Sequence, residues 1–209
     1  MQIAVFGATG RTGLPLCEQA LERGHEVIVH ARSPETVPFT DDRVRVVAGD
    51  VYTGEGVLDA VRGANAVVSV LGQGEGSPAD LLTVAGENIS RAMTEAGVSR
   101  FVTLVGAGVR EDGESVSLGG KMMGVLLKLL ARDVLEDAES HVEHVRATDL
   151  EWTVVRVPRL GEGDPSGEYR AGDIDLGFEA IDRADVARFI LDSLESDEYS
   201  RRMPKVGPA

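Results

Sequence analysis

Gly7-Ala8-Thr9-Gly10-Arg11-Thr12-Gly13 sets three glycines at the G-x-x-G-x-x-G spacing, directly after the apolar run Gln2 to Phe6. A turn of this kind handles anions. Gly7 can make the tight turn, Gly10 lets the backbone approach a diphosphate, and Gly13 permits close packing of a helix on the strand. The N–H groups at the helix start, with Thr9 and Thr12 in the same turn, then point at the anion. The glycine pattern is weak alone; the strand before it and the helix after it supply the specificity. The alternative is a glycine-rich turn with no ligand.

The end of the second strand bears on which dinucleotide is held. A site for NAD usually places Asp or Glu there, to accept from the ribose 2′-hydroxyl. Here the residues are His30-Ala31-Arg32-Ser33. Arg32 can clamp a 2′-phosphate bidentately, Ser33 can add a donor, and Arg11 can cover the same phosphate from the glycine turn. NADP is therefore expected over NAD; the other reading of Arg32 is a solvated strand-end charge. Gly49-Asp50-Val51 closes the third strand, where Asp50 can accept from an adenine amino group and Val51 can pack on the ring. A plain turn carboxylate is the competing account of Asp50. Leu71-Gly72 closes the fourth strand with small residues that admit a ribose. Ligands of such sheets lie outside the carboxyl ends of the strands, so these positions agree.

The elements that must position these residues alternate. Strands are expected at Gln2–Phe6, Glu26–Ala31, Arg43–Ala48, Asn65–Leu71, Arg100–Val105 and Glu151–Val157, with a short one at Glu168–Ala171. Helices are expected at Thr12–Arg23, Gly54–Arg62, Ala79–Ala96, Lys121–Asp149 (with a break near Asp133) and Asp182–Leu194. Gly24 and Gly97 read as helix ends. Gly106 to Gly120 reads as a loop bordering an active site. Short apolar strands alternating with longer helices predict an α/β fold, a Rossmann-type doubly wound parallel sheet in three α/β/α layers. One domain is expected over 1–209, with a nucleotide-binding core over 1–105 and small C-terminal elements over 106–209 that complete the sheet and the substrate side.

Composition narrows the classes further. The chain has 209 residues, a net charge of −14 and 43% hydrophobic residues, with a mean hydropathy of −0.04. No apolar run reaches the roughly 18 residues of a membrane span, and the N-terminus enters a strand with no leader pattern. A cytoplasmic protein with no membrane partner is expected. Dense negative charge repels phosphate backbones, so no nucleic-acid partner is expected. A small-molecule acceptor and a monomer or weak homodimer are. Three lysines stand against 18 arginines, a balance suited to a high-salt cytoplasm or to a plain acidic mesophile protein. The single cysteine, Cys17, reads as a small core residue.

Phe6-Gly-Ala-Thr-Gly-Arg-Thr-Gly13, Gly49-Asp-Val51, Leu150-Glu-Trp-Thr-Val-Val-Arg156 with Pro158, and Asp185-Val-Ala-Arg-Phe-Ile190 leading into Ser196-Asp-Glu-Tyr199 together resemble the atypical short-chain dehydrogenase/reductases. That group includes NmrA-like proteins and biliverdin-IXβ reductase (flavin reductase), and the resemblance covers nearly the whole chain. It implies NADP binding and hydride transfer to a flavin, quinone or similar planar acceptor. It also implies that Gly106 lies beside the nicotinamide, and that Pro158 and Arg159 border the substrate pocket. Carbonyl-reducing relatives use a Tyr-x-x-x-Lys pair; Tyr52, Tyr169 and Tyr199 lack it, and Ser117-Leu-Gly-Gly-Lys121 carries a serine instead.

Catalytic residues are open, with Lys121 and Arg159 the candidates. His141 and His144 share a helix face but lack a third ligand in register, so no metal is expected and both read as solvated. Glu111, Asp112 and Glu114 likewise read as a solvated run. Three functions compete: an NADPH-dependent oxidoreductase, a non-catalytic NADP sensor of the NmrA-like type, and a nucleotide-sugar epimerase or dehydratase. The last needs the tyrosine and a larger C-terminal domain.

Overall fold

Ile3 and Val5 face one side of the first strand and Ala4 and Phe6 the other, and all four are buried. A period of two with both faces apolar demands a cover on each side. The computed structural model describes residues 1–74, 76–111, 113–114, 132–162, 165–177, 179–196 and 198–209. In it the strands are β1 (Gln2–Phe6), β2 (Glu26–Ala31), β3 (Val44–Ala48), β4 (Ala66–Ser69), β5 (Arg100–Gly106), β6 (Glu151–Val157), β7 (Arg159–Gly161), β8 (Tyr169–Gly172), β9 (Ala180–Asp182) and β10 (Lys205–Pro208). The helices are α1 (Gly13–Glu22), α2 (Val57–Val61), α3 (Leu81–Ala96), α4 (Arg132–Ala147) and α5 (Arg183–Glu195).

The main sheet runs β3-β2-β1-β4-β5-β6-β10-β8, parallel except for β8 against β10. Its first six strands have the order of a Rossmann sheet. On one face Ile3, Val5, Val27 and Val29 meet Leu16, Cys17 and Ala20 of α1 and Val186, Ile190 and Leu191 of α5. On the other, Phe6, Val67 and Phe101 meet Val61, Ile89, Met93 and Val142 of α2, α3 and α4. Burying each side chain of Phe101's class is worth about 1.5–3 kcal/mol. The doubly wound, three-layer expectation is met in one continuous sheet.

Several element ends have identifiable causes. Gly24 and Gly97 take left-handed φ of 81° and 71°, which ends α1 and α3. The helix expected from Gly54 shortens to α2, because Gly54 and Gly56 both have positive φ. Asp182 caps α5, its Oδ1 accepting from Ala184 N at 2.8 Å. Three strands were absent from the sequence expectation: β7 and β9, which pair in a second small sheet, and β10. The part of the expected long helix before Arg132 lies outside the described residues. Among the described residues no helix is long and apolar enough to cross a membrane.

Candidate functional site

The turn between β1 and α1 is built by its glycines. Gly7 has φ +88°, and a Cβ there would stand 2.9 Å from the Val70 carbonyl oxygen on β4's exit. At Gly13 a Cβ would lie 2.1 Å from Gly7 O and 2.6 Å from Ala8 Cα, so only glycine lets α1 start this close to β1. Gly10 differs. Its Cβ would meet only Gly7 O, at 3.1 Å, leaving the outer side of the turn open. Thr9, Gly10 and Arg11 are exposed, while Thr12 is buried. No side-chain cap and no acidic residue occupies the first turn of α1. Its orphan amides and positive dipole end are left facing outward, an arrangement that suits a diphosphate.

The strands around this turn are parallel, so their ends lie together at the carboxyl edge of the sheet, where ligands of such sheets bind in a crevice. Arg32 and Ser33 are exposed at the end of β2, and no described residue pairs with the Arg32 guanidinium, which leaves it available to an anion. At the end of β3, a Cβ on Gly49 would stand 2.1 Å from Glu55 O and 2.8 Å from His30 Nε2, so this glycine serves backbone packing. His30 Nε2 donates to Glu55 O at 2.8 Å, and burial lowers its pKa. Asp50 Oδ1 accepts from Tyr52 N at 2.9 Å in a turn. Val51 is 7% exposed in the core beneath, which leaves little of it to meet an adenine ring. Leu71 is half-buried, and a Cβ on Gly72 would meet no described residue within 4 Å.

On the far side of the crevice, Gly106 closes β5, and a Cβ there would meet no described residue within 4 Å. Ala107 N donates to Val157 O at 2.7 Å, tying the ends of β5 and β6 together. Pro158 is half-buried and Arg159 exposed at the start of β7. Arg11, expected to flank the 2′-phosphate beside Arg32, is instead ion-paired with Glu162, just after β7. Arg32 follows β2, on one side of β1, while Glu162 follows the chain out of β6, on the other side.

The residues present fit a dinucleotide: an open glycine turn, an uncapped helix start and, at the strand end where a ribose phosphate would sit, an arginine with no partner among the described residues. A family model described as NAD(P)H-binding matches residues 7–197. The chain belongs to the NAD(P)H-binding family. It is 26% identical over 210 residues to YwnB of Bacillus subtilis (strain 168), covering 95% of this chain and 94% of that one. Among solved structures, a wide-type short-chain dehydrogenase/reductase from Veillonella parvula in complex with NADP superposes with TM-score 0.81 at 17% identity, covering 99% and 94% of the two chains. ChuY, an anaerobilin reductase from Escherichia coli O157:H7, does so with TM-score 0.81 at 18% identity, covering 99% and 96%. Like these neighbours, this NAD(P)H-binding chain has a Rossmann-like fold with a mostly parallel central sheet.

Other residues of the NAD(P)H-binding domain fall differently from expectation. Lys121, with Ser117, lies outside the described residues. His141 is not solvated: it is 2% exposed, its Nε2 is 2.9 Å from Thr103 Oγ1, and burial lowers its pKa to about 4. His144 Nε2 is 2.8 Å from Ser90 Oγ. Among the described residues, no cluster of His, Cys, Asp or Glu could hold a metal. Glu114 leaves the solvated run as well. Its Oε2 accepts from Arg156 Nη1 at 2.5 Å and its Oε1 pairs with Lys205 Nζ at 2.6 Å. Burial acts to raise its pKa, but the two cations outweigh that and bring it down to about 2. Cys17 is a core thiol, pushed up to about 12 by burial.

One residue beside the crevice had no sequence signal at all. Asp137 of α4 is buried and accepts from Leu82 N (2.8 Å) and Thr83 N (2.9 Å) at the start of α3. It also accepts from Thr83 Oγ1 (2.7 Å) and Gln73 Nε2 (2.7 Å). Its carboxylate thus caps one helix from another, complementing the dipole, and clamps the loop that leaves β4. Aspartate in a helix pattern normally reads as a surface charge; only the pairing of α3 with α4 reveals its partners.

Proposed function

We propose that the protein is an NADPH-dependent oxidoreductase passing hydride directly to a planar acceptor such as a flavin or quinone. The amides of residues 11–13 hold the diphosphate, the Gly10 amide being used within the turn by Gly7 O, and Arg32 with Ser33 holds the 2′-phosphate; no carboxylate stands at that strand end to prefer NAD. A Cβ on Gly72 or Gly106 would meet no described residue within 4 Å, so a ribose and a flat ring can approach the backbone there. When bound, the nicotinamide supplies the hydride.

The observation that carries the choice of acceptor is that no tyrosine is followed by a lysine at the Tyr-x-x-x-Lys spacing, and that Tyr52 and Tyr169 instead donate to Asp80 and Asp192. A carbonyl reductase needs a tyrosine whose pKa a lysine has lowered. Here all three are raised: Tyr52 by its bond to Asp80, Tyr169 by burial and then by Asp192, and Tyr199 by burial and then by Glu198. Tyr169 donates to Asp192 Oδ2 at 2.6 Å, on the α5 face of the sheet. An electron-poor ring that takes hydride and then draws its proton from water needs no such acid. NADPH oxidation measured with FMN, riboflavin and a quinone tests this. Turnover well above the enzyme-free rate is expected; tight NADPH binding without turnover on any acceptor would instead mark a sensor.

A further inference from the structure

The sheet order separates β1 from β6 by two strands, β4 and β5, or about 14 Å at the usual strand spacing. Arg11, in the turn after β1, and Glu162, in the segment that continues β6 through β7, are nevertheless in direct contact. The pair joins the segment after β7 to the glycine turn, beside the starts of α1 and α5, which pack on the same face of the sheet. Its two ends are unequal. Glu162 belongs to a braced segment: Arg183 Nη1 donates to Gly161 O at 2.7 Å and stands 3.5 Å from Glu162 Oε1. The Arg11 side chain is 75% exposed and has no other described partner.

We infer that Glu162 is an affinity-setting residue, an internal carboxylate that occupies Arg11 in place of the cofactor's diphosphate. The inference rests on the NAD(P)H reading of the glycine turn. Arg11 lies in the same turn as the amides that face the diphosphate, and its side chain is exposed. An exposed ion pair is worth little, so a doubly charged diphosphate displaces the carboxylate, but the exchange costs affinity. Glu162 also adds a negative charge beside the incoming anion. Arg32, at the end of β2, takes no part in this pair, so Glu162 weakens NADPH and NADH alike while Arg32 alone discriminates between them.

The test is equilibrium binding of NADPH and NADH, followed by nicotinamide fluorescence at low and high salt, on the wild-type chain, Glu162→Gln, Arg11→Gln and the double variant. Glu162→Gln is expected to tighten both cofactors by the same factor, about three- to tenfold at low salt and less at high salt. In the Arg11→Gln background the same change is expected to do less than twofold. Glu162 is well exposed, so its substitution leaves the melting temperature in place. Unchanged or weakened binding by Glu162→Gln overturns the proposal, as does an equal gain without Arg11. A wild-type chain that binds neither cofactor overturns the NAD(P)H reading itself, a result distinct from binding that ignores Glu162.

Discussion

Replacing Asp137 is the sharpest probe of how the crevice is held. The carboxylate is 5% exposed and receives four hydrogen bonds, two of them from first-turn amides of α3. Asp137→Ala removes a helix cap, worth about 0.5–2 kcal/mol, and leaves further donors unpaired in the interior at about 1–3 kcal/mol. Because the four bonds share one acceptor group they are not additive, and a total of about 3–4 kcal/mol is expected. At this chain length each kcal/mol moves the midpoint by about 2–4 °C, so thermal unfolding should fall by roughly 10 °C. Asp137→Asn keeps one acceptor oxygen and turns its amide toward donors, so about half of that loss is expected. Urea unfolding followed by circular dichroism gives the stability directly, with the slope unchanged. NADPH affinity should weaken a few-fold in the Asn variant as Gln73 loses its anchor. An Asp137→Ala protein within 1 kcal/mol of wild type would refute the capping account.

Three further outcomes follow from the same geometry. Gly10→Val should fold, since its Cβ meets only Gly7 O at 3.1 Å, yet bind neither cofactor, whereas Gly13→Ala should fail to fold because its Cβ would lie 2.1 Å from Gly7 O; melting and binding curves on both separate the two roles. Arg32→Asp should reverse the cofactor preference, weakening NADPH by tenfold or more while sparing NADH, and an unchanged ratio of dissociation constants would show that Arg32 does not read the 2′-phosphate. His141 stays neutral in the fold with a pKa near 4, against 6.5 in the unfolded chain. As pH falls from 6.5 to 4 the unfolded state takes up a proton that the native state refuses, so stability drops by up to about 3 kcal/mol. Urea midpoints read at several pH values should show this, with a flatter profile in His141→Gln.

Local signals carried the fold far. β1, β2 and β6 stand where apolar runs of β-branched residues place them, and the glycines ending α1 and α3 are visible as letters. What escaped the sequence is what depends on distant partners. β10 is four residues with a glycine and a proline, too short for a pattern, and it exists because β6 and β8 flank it. His141 shares its helix with Glu139 and Glu143 and so looks solvated; its partner Thr103 lies on β5. Glu114 sits in an acidic run and is claimed by Arg156 of β6 and Lys205 of β10. At the site, the glycine turn was legible because its chemistry is local. The direction of Arg11 was not, since nothing near it in sequence announces Glu162.

Calorimetric titration of the wild-type chain with NADPH and then with NADH, at the same salt concentration, tests the central claim most directly. One site per chain with NADPH bound at least tenfold more tightly than NADH is the expected result. Absence of heat with both nucleotides, under conditions where the chain is folded, would contradict it.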